Sequence, residues 1–171
     1  MLGPINSPMK KLLLVRHADA NPSLLGSADF DRTLSKRGVE QAANSALKIK
    51  ELGWTIDEIL SSPATRTLQT ATILAEQLGI GTKKIATDKR LYNPEQEDFY
   101  NSIVFTDDAV QTLIVVSHNN GITDFVNSLM TNRIDAMQTA SIAAFEINAN
   151  SWSEIQTASK NFLFYWPGKR P

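Results

Sequence analysis

The chain's two histidines each close an apolar run, Leu12-Leu13-Leu14-Val15-Arg16-His17 and Leu113-Ile114-Val115-Val116-Ser117-His118. A neutral imidazole is a nucleophile toward phosphorus, and a guanidinium is a rigid fork that matches two phosphoryl oxygens. Arg16 beside His17 therefore points to anion chemistry, with phosphate first. Positive charge next to the ring also disfavours imidazolium and keeps the ring nucleophilic. A third cation, Arg66, follows Ser61-Ser62-Pro63-Ala64-Thr65. Serine before proline predicts a helix start, with Ser62 as N-cap and Pro63 at the first helical position. Arg66 then lies in the first turn, where free N–H groups and the helix dipole favour an anion. A cation weakens the helix there, and a residue in a locally wrong place hints at function. His118, followed by Asn119-Asn120-Gly121, is placed to donate to a phosphoryl oxygen as charge builds. Taken singly, each residue has a structural alternative: a hydrogen-bonded strand end, a surface arginine, a core histidine. Two histidines without an acidic ligand cluster are a poor zinc or iron set, so neither a metal nor a cofactor is expected.

These residues need elements to position them. An apolar strand that stops at an ionisable residue places it at the carboxyl edge of a sheet, where open α/β folds bind ligands. After the first strand, Asn21 to Thr33 reads as a loop. A helix follows with Ser35 as N-cap and an apolar stripe of Val39, Ala42, Ala43, Ala46, Ile49 and Leu52, ended by Gly53. Ile56 to Leu60 is a short strand. The helix carrying Arg66 buries Ala64, Leu68, Ala71, Leu74, Ala75 and Leu78, and Gly79 caps it. Lys84 to Thr87 is a further strand and Pro94 to Phe105 a helix with an acidic start. Thr112 to Ser117 is apolar on both faces, as in a buried parallel strand. Gly121 to Met130 returns to helical spacing, and Ser141 to Trp166 is rich in strand formers. The order predicts a three-layer α/β/α domain around a mostly parallel central sheet. Phe162-Leu163-Phe164-Tyr165-Trp166 reads as an edge segment packed on the core rather than a partner surface.

The bulk properties narrow the class. With 171 residues, one domain over 9–171 is expected, preceded by a disordered leader at 1–8 that leaves Met1 or Met9 as the natural start. Net charge is −1, without the basic excess of a nucleic-acid binder. There are no cysteines, which removes disulfides, thiolate metal sites and cysteine nucleophiles. No apolar run approaches the roughly 18 residues of a membrane helix. A cytoplasmic protein that touches neither nucleic acid nor membrane is expected.

Four stretches in order, VRHADA at 15–20, LSKRGVEQA at 34–42, SSPATRTLQTA at 61–71 and VVSHNNGI at 115–122, resemble the histidine phosphatase superfamily, the group with a phosphoglycerate-mutase-like fold. The short chain, Asp19 after the dipeptide and the absence of a helical insertion that would form a cap domain resemble its small SixA-type phosphohistidine phosphatases most. The resemblance implies that His17 is the nucleophile that becomes phosphorylated. It implies that Arg16, Arg66 and His118 form the phosphate pocket with it, and that water then hydrolyses the intermediate.

The chain departs from that pattern in three places. Ala18 stands where a glycine is usual, and Ser23 where an asparagine often assists phosphate binding. Asn93 stands where many members carry the general acid, leaving Asp19, Glu95 and Glu97 as candidates. An alkoxide leaving group needs that proton, and losing general acid catalysis slows a reaction about 100- to 10,000-fold. A protonated imidazole leaves with less help. The expected substrate is therefore phosphohistidine on a protein. The alternatives are a small-molecule phosphomonoesterase acting on a phosphorylated metabolite and a non-catalytic phosphate-binding module. A mutase is disfavoured because it must hold a bisphosphate intermediate.

Overall fold

The computed structural model describes residues 9–168. The leader expected at 1–8 lies outside the described residues. The central strand β1 (Met9–Arg16) is followed by α1 (Lys36–Glu51), β2 (Glu58–Ser61), α2 (Thr65–Leu78) and β3 (Ile85–Thr87). Then come α3 (Gln96–Ile103), β4 (Thr112–Ser117), α4 (Gly121–Ser128), β5 (Ile142–Asn148) and β6 (Lys160–Trp166). The sheet order is β3-β2-β4-β1-β5-β6. β1 pairs parallel with β4, β4 with β2 and β2 with β3, whereas β5 runs antiparallel to both β1 and β6.

Alternation along β1 divides the core in two. Leu12 and Leu14 face the side covered by α3 and α4, packing with Phe99, Phe125 and Trp152. Leu13 and Val15 face α1 and α2, packing with Ile49, Ile59, Ala71 and Leu74. Successive strand residues point to opposite faces, so a strand apolar at every position needs a helical layer on each side. The result is the expected α/β/α arrangement, with no cap domain among the described residues. β6 is an edge strand whose Leu163, Phe164 and Trp166 pack on the second cluster, as expected for that aromatic run. No helix among the described residues is long and apolar enough to cross a membrane.

The helix starts carry the main corrections. Ser35 caps α1 as expected, its hydroxyl oxygen accepting from the Gly38 N–H at 3.0 Å. The buried stripe, however, runs through Gly38, Ala42, Ser45, Ala46 and Ile49, while Val39 is exposed. Gly38 takes the contact position because its missing side chain lets α1 approach the chain after β1. A Cβ there would overlap the main-chain oxygen of Asp19. Gly38→Ala is expected to destabilise the fold by about 1–3 kcal/mol, the usual result of overpacking. Urea denaturation measures it, and an unaltered midpoint would refute the close approach.

The start of α2 lies two residues beyond the expected one. Its N-cap is Ala64, not Ser62, and the last residue before the helical turn is extended (φ −62°, ψ 146°). The Ser62 hydroxyl is engaged with His118 instead, at 2.8 Å. Thr67 ties the turn together by donating to the carbonyls of Ser62 and Ala64. Arg66 nevertheless stays in the first turn of α2, as its proposed role requires.

Candidate active site

β1 and β4 are adjacent and in register, with Arg16 opposite Ser117. Their next residues, His17 and His118, therefore leave the sheet edge side by side. The His17 N–H donates to the Ser117 carbonyl at 3.0 Å, and the two ring centroids are 5.2 Å apart. Arg66 enters from the start of α2. All four residues line one cavity of about 350 Å³, together with Asp19, Asp29, Arg32, Asn93, Asn119 and Thr139.

Hydrogen bonds decide which nitrogen of His17 carries the hydrogen. Nδ1 lies 2.8 Å from the Ala18 carbonyl oxygen, which can only accept, so Nδ1 carries the hydrogen. Nε2 lies 3.4 Å from Arg66 Nε, which can only donate, so Nε2 presents its lone pair. Both neighbours select the same tautomer. Burial pushes the His17 pKa down to about 4, the nearby guanidinium groups of Arg66, Arg16 and Arg32 push it the same way, and the Ala18 hydrogen bond opposes them. His118 is pushed down to about 3, first by burial and then by His17 and Arg66. Both rings are neutral at pH 7.

This has a measurable consequence for stability. An unfolded histidine titrates near 6.5. Between that value and the folded ones, the unfolded chain binds protons that the folded chain refuses. Stability is therefore intact above about pH 6.5 and falls as pH drops toward 4, by about 3 kcal/mol for His17 alone. The chain has only two histidines, so an NMR titration resolves both. Midpoints near 4 and 3 are expected, and a midpoint near 6.5 for either would refute the buried neutral pair.

Arg66 is held by a residue that the sequence reading passed over. Its Nη1 donates to the Asp29 main-chain oxygen at 2.7 Å, and its Nη2 to Asp29 Oδ2 at 3.1 Å. The Tyr92 hydroxyl donates to the same oxygen at 3.0 Å, and Arg32 Nη1 to Oδ1 at 3.1 Å. Asp29 is half exposed, and the modest desolvation it does suffer raises its carboxyl. Hydrogen bonds from Arg32 and Tyr92, with the Arg66 charge, outweigh that and hold it below its ordinary value. Asp29 sits on a short 3-10 turn within the segment read as a loop. That stretch has no periodicity, so only the run Asp29-Phe30-Asp31-Arg32, acidic and basic together, could have marked it.

Two further atoms stand out. Arg16 Nη1 donates to the Met137 carbonyl at 2.8 Å, but its Nε is buried without a hydrogen-bond partner. His118 Nδ1 is buried without one as well. Buried polar atoms are rarely left unpaired, and each unmade bond is worth about 1–3 kcal/mol.

The three acid candidates fare unequally. Asp19 lines the cavity, with its Oδ2 accepting from the Ser35 hydroxyl at 2.6 Å. Glu95 is the N-cap of α3 and lines a neighbouring groove. Glu97 is exposed in the first turn of α3 and lines neither. Ser23, at the position where an asparagine was expected to assist, is exposed and outside the cavity. Ser62 and Tyr92 join the site as supports of His118 and Asp29.

Comparison with known proteins fits this geometry. A chloroplastic protein of Arabidopsis thaliana, itself uncharacterized, is 30% identical over 159 residues, covering 88% of this chain and 72% of its own length. The mitochondrial serine/threonine-protein phosphatase PGAM5 of Homo sapiens is 34% identical over 79 residues, 46% of this chain and 26% of that protein. The matched stretch thus spans about a quarter of PGAM5's length. The structure of the protein histidine phosphatase SixA complexed with tungstate superposes with a TM-score of 0.75 at 19% identity, covering 91% of this chain and 95% of that one. At that identity the likeness establishes a shared fold. The model of the histidine phosphatase superfamily (branch 1) matches residues 12–95, from the apolar run of β1 past Arg66 to the N-cap of α3. By that match and by its Arabidopsis relative, the chain belongs to the histidine phosphatase superfamily.

Proposed function

We propose that this protein is a metal-independent phosphatase that removes the phosphoryl group from phosphohistidine on a protein, through a covalent intermediate on His17. The observation that carries the reading is the fixed tautomer of His17, whose Nε2 lone pair faces Arg66. In the first step a bond forms between His17 Nε2 and phosphorus while the bond from phosphorus to the substrate nitrogen breaks. The departing imidazole takes its proton from solvent. In the second step water attacks phosphorus, His17 Nε2 leaves, and inorganic phosphate is released. Arg16, Arg66 and neutral His118 stabilise charge on the equatorial oxygens in both steps. We place the enzyme in the cytoplasm on composition alone, and read 9–171 as one catalytic domain.

The leaving group follows from the acids. Asp29, the carboxylate nearest Arg66, is held ionised and has no proton to give at neutral pH. We assign it to the second step, where it would hold Arg66 and orient the attacking water as a hydrogen-bond acceptor. Asp29→Asn is expected to slow breakdown of the phosphoenzyme about 100-fold, so that label accumulates on His17. Quenched single-turnover kinetics measure this. A raised KM with normal breakdown would limit Asp29 to holding Arg66.

The test of the substrate is a side-by-side rate comparison of a phosphohistidine peptide, a phosphoserine peptide and a sugar phosphate. Faster turnover of phosphohistidine is expected. Faster turnover of the sugar phosphate would establish the small-molecule phosphomonoesterase. No turnover and no phosphoenzyme would leave a phosphate-binding module.

A further inference from the structure

A second groove opens beside the phosphate cavity and shares Thr139 with it. It has a volume of about 520 Å³ and carries Arg37, Arg133 and Tyr165 in its walls. Neither arginine forms an ion pair among the described residues. One carboxylate, Asp135, also lines the groove and leaves it with a net positive charge. The Tyr165 hydroxyl accepts from the Gln138 N–H at 3.1 Å, so its own hydrogen remains free to donate.

Local energetics do not account for Arg37. The first turn of α1 contains no acidic residue, and Lys36 and Arg37 stand there against the helix dipole. A further groove, which shares Asn93 and Asn119 with the cavity, carries Glu95 and Asp124 and no cation. The two grooves that adjoin the cavity therefore differ in charge, positive at Arg37 and Arg133 and negative at Glu95 and Asp124. An acidic flank is favoured in the first and disfavoured in the second.

We infer that the Arg37–Arg133 groove is a docking subsite for acidic side chains that flank the phosphorylated residue of a protein substrate. The inference rests on the phosphoprotein reading above and names the class of protein surface that reading would require. An acidic flank gains two guanidinium partners and the Tyr165 hydroxyl, and the groove's lining includes none of Arg16, His17, Arg66 and His118. These are exposed charges, so the gain is modest and falls with added salt.

The experiment uses the His17→Ala protein, which binds without turnover, and two peptides with a non-hydrolysable phosphohistidine analogue. One peptide has aspartates on a single side of the analogue and serines on the other, and the second peptide has serines on both. Fluorescence anisotropy gives both dissociation constants, with and without Arg37→Gln and Arg133→Gln, and inorganic phosphate is added as competitor. The acidic peptide is expected to bind about tenfold more tightly, a preference that shrinks at high salt and vanishes in the double substitution. Equal binding of the two peptides would overturn the subsite, as would a preference that survives the double substitution. Failure of phosphate to compete would refute the phosphate cavity. An Arg37- and Arg133-dependent preference seen even then would sustain the groove by itself. A merely misfolded variant would lose both peptides together, so the ratio of affinities is the deciding quantity.

Discussion

His17→Ala is expected to lower turnover by about 10⁴- to 10⁶-fold and to abolish acid-labile phosphoryl label on the protein. The size follows from what the side chain supplies. His17 Nε2 is an unprotonated imidazole nitrogen beside Arg66, and in the proposed mechanism its lone pair makes the new bond to phosphorus. Alanine offers no lone pair, and water would have to attack the substrate directly. Arg16, Arg66 and His118 remain and would still bind the phosphoryl group, so inorganic phosphate should retain measurable affinity. Turnover and label are read together by rapid quench and gel. Persistence of label in the variant would move the nucleophile elsewhere, and His118 would be the first place to look. The same substitution removes one of the two buried titrating rings, so the loss of stability between pH 7 and 4 should shrink as well.

Arg66→Ala is expected to reduce kcat by about 100- to 1,000-fold, the usual result of deleting one preorganised donor at a site of developing charge. A second readout separates this role from a structural one. Arg66 is among the charges that push the His17 pKa down, and it also neutralises Asp29. Without it one of the charges that push the His17 pKa down is gone, and the midpoint should rise from about 4, while burial, the largest cause, still holds it below its ordinary value. The acid side of the pH–rate profile should move with it. Arg66→Lys should restore part of the pKa shift, because the charge is kept. It should restore little of kcat, because an ammonium lacks the planar fork that reaches Asp29 and a phosphoryl oxygen together. A kcat loss with an unmoved His17 midpoint would mean that Arg66 acts through position alone.

The sequence showed best the parts of the site that are local to one element. Arg16, His17 and His118 end continuous apolar runs, and such runs become buried strands whose last residues share an edge. The helix stripe was less legible. Val39 is apolar but exposed, whereas Gly38 is buried because the main chain of Asp19 lies against it. No apolar count reveals a contact made by the absence of a side chain. Ser62 showed the same limit from the other direction. Its pairing with proline is a sound capping signal, but its hydroxyl is claimed by His118, 56 residues away. Asp29 was beyond reach for a related reason. Its partners Arg66 and Tyr92 are 37 and 63 residues distant, and nothing in a polar loop announces which tertiary cation it will meet.

The two halves of the proposed catalytic apparatus differ in how firmly they are built in. His17 leaves β1, which is hydrogen-bonded to a strand on each side at the centre of the sheet. Asp29 rides on a segment of mostly exposed residues held down by a few side-chain bonds. Central strands open only with the whole molecule, whereas exposed loops open locally at a fraction of that free energy. The nucleophile should therefore outlast its partner. On heating, the enzyme has reason to fall silent while its sheet is still intact, and to recover as soon as one loop closes again.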